Sequence, residues 1–307
     1  MCSARYVKIL FKMKNLFLTF LLLAAISVHA QEASDTAKAR KPISMPKGFT
    51  KQLDVIYTHA SGMDVKMDIY LPPNQGKPTP VMMVIHGGAW AKGSKETIGG
   101  FGPFFKAGFA IVNIDYRMVQ VAKVPAAIED TRCALIYLIK NAAALNIDTK
   151  KIVIMGTSAG AHLALMGGLL ANDHRFDTNC PGVENIKVAA IIDKYGIADV
   201  WDWGYGVLHS KSATNWLDTH AKDKAFAASV SPNNYVNASS PPTLIVHGNA
   251  DDHVPYQQSV DLYQQFLKAG VKTEFMTVEG GKHGGFTREK NDEINEHIFA
   301  FLKSIGI

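Results

Sequence analysis

Between Lys151 and Ala171 the chain reads KIVIMGTSAGAHLALMGGLLA, and this stretch constrains the fold more than any other. Ile152, Val153 and Ile154 are β-branched and read as a strand. Gly156-Thr157-Ser158-Ala159-Gly160 follows as a tight turn, and an apolar helix is expected from Ala161 onward. In that strand–turn–helix context, G-x-S-x-G holds its serine on a strained turn above a sheet. Gly156 and Gly160 serve the turn sterically, because backbone can approach backbone only where Cβ atoms are absent. The Ser158 hydroxyl is expected at a helix N-terminus, where N–H groups and the helix dipole favour developing negative charge. Taken alone, the string also fits an ordinary strand-to-helix loop of small residues.

The rest of the chain supplies the sheet that such a turn needs. The runs 54–59 and 64–71 flank Ser61-Gly62 and read as an antiparallel hairpin at a sheet edge. In the second run Val65, Met67 and Ile69 alternate with Lys66, Asp68 and Tyr70, the period of a strand with one wet face. Beyond the turn cluster at 72–76 the character changes. Short apolar runs without alternation, at 81–85, 110–114, 152–155, 188–192 and 243–246, fit parallel strands buried on both faces. Helical stretches at 125–141 and 256–269 separate them, and a strand at 273–278 and a helix at 288–304 close the chain. This alternation predicts an α/β fold with a mostly parallel central sheet of about eight strands and helices on both faces.

The N-terminus has a different character. Lys12 and Lys14 precede an apolar run from Leu16 to Ile26, with Val28-His29-Ala30 before Gln31, the pattern of a secretory signal peptide over 1–30. The run is shorter than the ~20 residues that span a bilayer, and Met13 is the more natural start. Residues 31–47 read as a polar, mobile linker and 48–307 as one catalytic domain. The whole chain has 32 basic and 27 acidic side chains; without Arg5, Lys8, Lys12 and Lys14 the balance is 28 to 27. Such neutrality argues against a nucleic-acid partner, or a membrane partner after cleavage. Cys133 and Cys180 remain beyond the leader, and spacing leaves their pairing open.

Ligands of an open parallel sheet sit beyond the carboxyl ends of its strands. The first buried strand ends in His86-Gly87-Gly88-Ala89-Trp90, whose small residues leave N–H groups uncovered for an oxyanion. HGNADDHVP follows the strand at 243–246, and EGGKHGGF follows the one at 273–278. Ser158, Asp251 and His283 therefore come in chain order, each just past a strand. Asp252 stands beside Asp251, and Asp199 is a third carboxylate to consider. A serine hydroxyl attacks well only if a base takes its proton, and His283 can do so when a carboxylate holds its tautomer. The N–H groups of Gly88, Ala89 and Ala159 would receive the oxyanion. No cofactor is required, and no paired ligand spacing points to a metal.

With HGGAW at 86–90, Tyr116-Arg117, PAAIED at 125–130, MGTSAGAHLA at 155–164, HGNADDHVP at 247–255 and KHGGF at 282–286, most of the chain resembles an α/β-hydrolase. The likeness is to the esterase/lipase group carrying HGG-[GAY]-W. Within it, the chain is most similar to secreted bacterial carboxylesterases of the acetyl-xylan and feruloyl esterase type. The resemblance implies a serine carboxylesterase acting on a small-molecule or carbohydrate ester, and it favours Asp251 as the acid. Ala89 departs from the HGGG of hormone-sensitive lipases. Arylformamidases share the HGG-aromatic-W loop, and dipeptidyl peptidases share the HG-x-x-D…H tail. An amide hydrolase, an exopeptidase and a non-catalytic binding protein on this fold are thus the alternatives.

His86 and His247 read as satisfied structural histidines, and His162 as packed beneath the elbow. The charged stretch 288–296 reads as the wet face of the last helix. Segment 195–237 holds Trp201, Trp203, Tyr205 and Trp216 and reads either as a small cap or as a satellite hydrophobic cluster. Trp90, Trp201 and Trp203 are the candidate substrate contacts.

Overall fold

The computed structural model describes residues 43–307, and their centre is an eight-stranded sheet. Its strands are β1 (Thr50–Ala60), β2 (Met63–Leu71), β3 (Thr79–Ile85), β4 (Ala110–Ile114), β5 (Ile147–Thr157), β6 (Ala190–Lys194), β7 (Thr243–Gly248) and β8 (Thr273–Val278). They lie in the order β1-β2-β4-β3-β5-β6-β7-β8. β2 pairs antiparallel with β1 and β4, and every later pairing is parallel. The helices are α1 (Gly102–Lys106), α2 (Ala126–Lys140), α3 (Ala142–Leu145), α4 (Ala159–Leu169), α5 (Val200–Tyr205), α6 (Lys211–Leu217), α7 (Lys224–Ser229), α8 (Tyr256–Lys268) and α9 (Arg288–Ser304).

The buried strands explain the layers. Successive side chains point to opposite faces, so Val81, Met83, Ile154, Ile191 and Ile245 meet α2, α4 and α8. Their neighbours Met82, Val84, Val153, Met155 and Ile192 meet Phe104, Phe105 and the Ile294–Phe301 stripe of α9. Both faces are covered, which is why these strands carry no polar alternation. α4 is buried along its whole length, and small residues let it in. A Cβ on Gly168 would lie 2.6 Å from Ile191 Cδ1, and one on Gly167 3.0 Å from Thr131 Cγ2.

Two expectations change here. The second face of β2 is not wet: Asp68 and Tyr70 are both buried, and Asp68 lies 3.2 Å from the Lys95 ammonium. Alternation marked the strand, but a loop from elsewhere covers its polar face. The mobile linker expected over 31–47 reaches the described residues only at 43–47, where Ile43 and Met45 pack against the α9-side core. The leader expected at 1–30 lies outside the described residues. No helix among those described is long and apolar enough to cross a membrane.

Cys133 of α2 and Cys180 form a disulfide with their Cα atoms 5.4 Å apart. It ties the loop after α4 to the core helix. Segment 195–237 contributes α5, α6 and α7, and Trp203, Ala213, Trp216 and Leu217 are buried in the same core as β3 and α4.

Candidate active site

The elbow is built by backbone contact. A Cβ on Gly156 would lie 2.0 Å from the Gly160 carbonyl oxygen, and one on Gly160 2.3 Å from that of Ile85. With both glycines the turn closes, and Ser158 takes φ 55°, ψ −124°. Strain of this kind costs on the order of 1–3 kcal/mol and persists only where the surroundings enforce it. The Ser158 N–H donates to the Lys194 carbonyl at 2.9 Å, and its own carbonyl accepts from Ala161 and His162 in the first turn of α4.

Two loops at neighbouring strand ends complete the group. Ser158 Oγ lies 2.8 Å from His283 Nε2, in the loop after β8. His283 Nδ1 lies 2.7 Å from Asp251 Oδ2, in the loop after β7. The Asp251 side chain is fully buried, and His283 is 18% exposed. Burial pushes the Asp251 carboxyl up. Donation from His247 and His283, and from the N–H groups of Val254 and His253, outweighs it and holds the group well below the usual carboxylate range. Those N–H groups donate to Oδ1 at 3.0 and 2.8 Å, while His247 Nε2 reaches Oδ2 at 3.1 Å. His247 Nδ1 in turn meets Ser259 Oγ at 2.7 Å. An anionic Asp251 makes His283 the tautomer with Nδ1–H toward the acid and a free lone pair on Nε2 toward Ser158.

Asp252 and Asp199 are not in this line. Asp252 is exposed and bonds to His253 Nδ1 at 2.7 Å, and Asp199 caps α5 through the Asp202 N–H. The structure thus brings Ser158, Asp251 and His283 together, out of the three acids considered. Asp251, Asp252 and His253 are the one group with metal-ligand spacing among the described residues. The Asp251 oxygens there already accept from two imidazoles and two N–H groups.

The loop after β3 presses on the serine from its other side. A Cβ on Gly87 would meet Ser158 Cβ at 3.2 Å, and one on Gly88 (φ 119°) the Lys92 carbonyl oxygen at 1.9 Å. Gly88, Ala89 and Trp90 all have positive φ. Among the described residues the N–H groups of Gly88 and Ala89 have no backbone acceptor. Ala159 is the first residue of α4, so its N–H has no partner one turn earlier. His86 anchors this loop by stacking on Tyr116, with ring centroids 4.4 Å apart, and by its Nδ1, 2.7 Å from the Gly87 carbonyl. It is only half satisfied, since its buried Nε2 has no hydrogen-bond partner among the described residues. Burial lowers its pKa to about 4, so it is neutral.

The tryptophans are placed differently from expectation. Trp90 is completely buried, stacked on Trp216 at 4.1 Å, and presents no face to a substrate. Trp203 is 5% exposed and spends its indole N–H on the His253 carbonyl, so it supports the acid loop from beneath. Trp201 is half-buried and packs against Tyr205 at 4.3 Å. His162 lies under the elbow as expected, edge-on to Trp90 and Trp216, with Nε2 on the Val230 carbonyl. Two residues that sequence reasoning passed over touch His283. The His253 ring lies nearly parallel to it at 5.1 Å, and Tyr195 meets it edge-on at 5.0 Å. A tyrosine at φ 49° directly after a strand carries no local signal that predicts it.

A parallel sheet with a serine elbow after β5, an acid after β7 and a histidine after β8 defines an α/β-hydrolase fold. The BD-FAE family model matches residues 67–266, and the chain belongs to that family. Esterase LipC of Mycobacterium tuberculosis is 28% identical over 68% of this chain and 53% of its own length. The chain thus spans little more than half the length of that relative. Among solved structures, a truncated carbohydrate esterase from gut microbiota superimposes with TM-score 0.73 at 28% identity, covering 86% of this chain and 100% of its own. The propionate-bound Est2 esterase of Thermogutta terrifontis gives 0.70 at 26% identity, covering 85% and 95%.

Proposed function

We propose that this protein is a serine carboxylesterase that hydrolyses small acyl esters through an acyl-enzyme. The observation that carries the reading is the unbroken line from Ser158 Oγ through His283 to buried Asp251, at 2.8 and 2.7 Å. Ser158 donates its proton to His283 Nε2 as Oγ attacks the ester carbonyl. The oxyanion is received by the N–H groups of Gly88, Ala89 and Ala159, and the carboxylate of Asp251 balances the imidazolium. His283 then gives the proton to the departing alkoxide. Water, deprotonated by the same imidazole, releases the acid and restores Ser158.

The substrate class we assign is a small acyl ester, with an acetyl or feruloyl group borne by plant polysaccharide. Support comes from the likeness to a carbohydrate esterase and to an esterase solved with propionate. We further assign residues 1–30 as a cleaved leader, 48–307 as one catalytic domain and 195–237 as a small cap. Export to a secreted or periplasmic location follows from that leader pattern and agrees with the Cys133–Cys180 disulfide.

Ser158→Ala tests the mechanism. Turnover of p-nitrophenyl acetate should fall about 10⁴-fold with an unchanged circular dichroism spectrum. A variant within tenfold of the parent would sink the assignment. Acetylated xylan, feruloylated arabinoxylan, N-formylkynurenine and dipeptide amides assayed side by side then separate the ester reading from the amide and peptide alternatives.

A further inference from the structure

A cavity lies behind the elbow, on the flank of the sheet covered by α1 and α9. Thr157 and Lys194 are register partners at the carboxyl edges of β5 and β6. Their parity is that of Met155 and Ile192, whose side chains pack on the α9 face. Both therefore stand on that flank, where they line a cavity of about 480 Å³. Its walls are apolar on the sheet and α1 side, with Ile98, Phe101 and Phe104, and amide-bearing on α9, with Asn291 and Asn295. The serine itself is not part of the lining.

Lys194 is half-buried and differs from the buried cations among the described residues. Lys95 is held by Asp54, Asp68 and Glu96, Arg117 by Glu129 and Asp130, and Arg132 by Asp177. Lys194 has neither an acidic partner nor a hydrogen-bond acceptor for its side chain among the described residues. Burial lowers its pKa with nothing set against it. The cavity's other charges, Arg288 and Asp292, face each other at 3.9 Å, and Arg288 is 90% exposed. A half-buried ammonium with no protein partner, lining a partly apolar cavity, is a ready counter-ion for an anion that enters it.

We propose that this cavity binds a small amphipathic carboxylate, with its acid group on the Lys194 ammonium and its apolar body against Ile98 and Pro103. The volume falls within the range of ligand pockets, about 300–1,000 Å³. Arg288, the cavity's guanidinium, is 90% exposed and faces Asp292 at 3.9 Å, so a phosphate gains no buried fork here and its dianion would be dehydrated against the apolar wall. Asn291 Nδ2 is already given to the Phe286 and Thr287 carbonyls at 2.8 and 2.9 Å. A single ammonium with the Asn295 amide and an apolar wall suits one carboxylate on a hydrophobic body.

The test is calorimetric titration of the full chain with benzoate, with benzamide as the neutral isostere. Benzoate should bind once per chain and at least about tenfold more tightly than benzamide. Lys194→Met should weaken it by about tenfold or more, and Lys194→Arg should retain it within about threefold. Asn295→Phe, a substitution on the half-exposed side of α9, should fill the cavity and abolish binding. It decides the question by itself if Lys194→Met does not fold. Absence of saturable benzoate binding, equal binding of benzamide, or benzoate binding unaltered by Asn295→Phe would each overturn the proposal. None of these readouts depends on Ser158 being a nucleophile.

Discussion

Asp251 and Asp252 are adjacent in the chain, yet their surroundings are opposite. Asp251 is buried and takes two imidazoles and two N–H groups, whereas Asp252 faces solvent with the exposed His253 ring against it. Asp251→Asn should therefore cost about 10⁴-fold in kcat, because an amide can hold the wrong imidazole tautomer and cannot balance the imidazolium. Asp252→Asn should cost less than about tenfold. Steady-state kcat for the two single variants checks the ranking, and the reverse order would move the acid by one residue. The serine, the acid and the histidine were legible because each sits in a short motif directly after an apolar run. The aromatic residues were not. Whether Trp90 faces ligand or core is decided by its stack on Trp216, a contact between distant parts of the chain that no local pattern encodes. The same holds for Tyr195 and His253 against His283.

At the scale of the element, the glycines of β5 and α4 show how steric demand grades from absolute to adjustable. The Cβ of Gly160→Ala would press on the backbone oxygens of Ile85 and His86 at 2.3 and 2.4 Å, and neither can move without breaking the sheet edge. That substitution should destabilise by more than about 3 kcal/mol or prevent folding. The Cβ of Gly168→Ala meets Ile191 Cδ1 at 2.6 Å and Cγ1 at 2.8 Å, side-chain atoms that can give way where backbone oxygens cannot. It should cost about 1–2 kcal/mol, partly offset by better helix propensity. Urea unfolding of the two variants measures the difference, and equal costs would refute the account. Element type was well marked in this chain, since buried parallel strands are short and apolar and their helices start and stop at clear breakers. β6 ran later than its apolar run, to Lys194, because its last residues are polar and owe their pairing to β5 and β7. The polar face of β2 was misread for the converse reason. Asp68 is buried by Lys95, whose loop reaches it from beyond β3.

For the whole molecule, the pH dependence of stability is set by acids held away from their ordinary values in both directions. The Cys133–Cys180 bridge closes a separation of 47 residues and adds stability that does not vary with pH in the acid range. Asp193 does vary. It lies in β6 beneath the site, with no exposure; its Oδ1 accepts from the Gly196 N–H at 2.9 Å, and its Oδ2 has no partner among the described residues. Burial raises its pKa to about 6, against smaller opposing effects from His247 and the Gly196 N–H. Asp251 is displaced the other way, so its contribution is present above the ordinary carboxylate pKa and is lost only in stronger acid. For Asp193 the sign is reversed. Below about pH 4 both folded and unfolded chains hold its proton, and its contribution is fully present. Between about 4 and 6 the unfolded chain releases the proton while the folded chain keeps it, so stability falls; above the folded value the loss is complete. From 3.8 to about 6 the shift amounts to on the order of 3 kcal/mol. Asn at this position keeps the Oδ1 acceptor, mimics the neutral acid and does not titrate. Asp193→Asn should therefore be more stable than the parent at pH 7.5, by several degrees in Tm, and should lose most of that advantage at pH 4.5. Melting both proteins at the two pH values isolates the residue, because all other titrating groups are common to the pair. An advantage that is the same at both pH values would mean that Asp193 is ionised in the folded chain throughout this range.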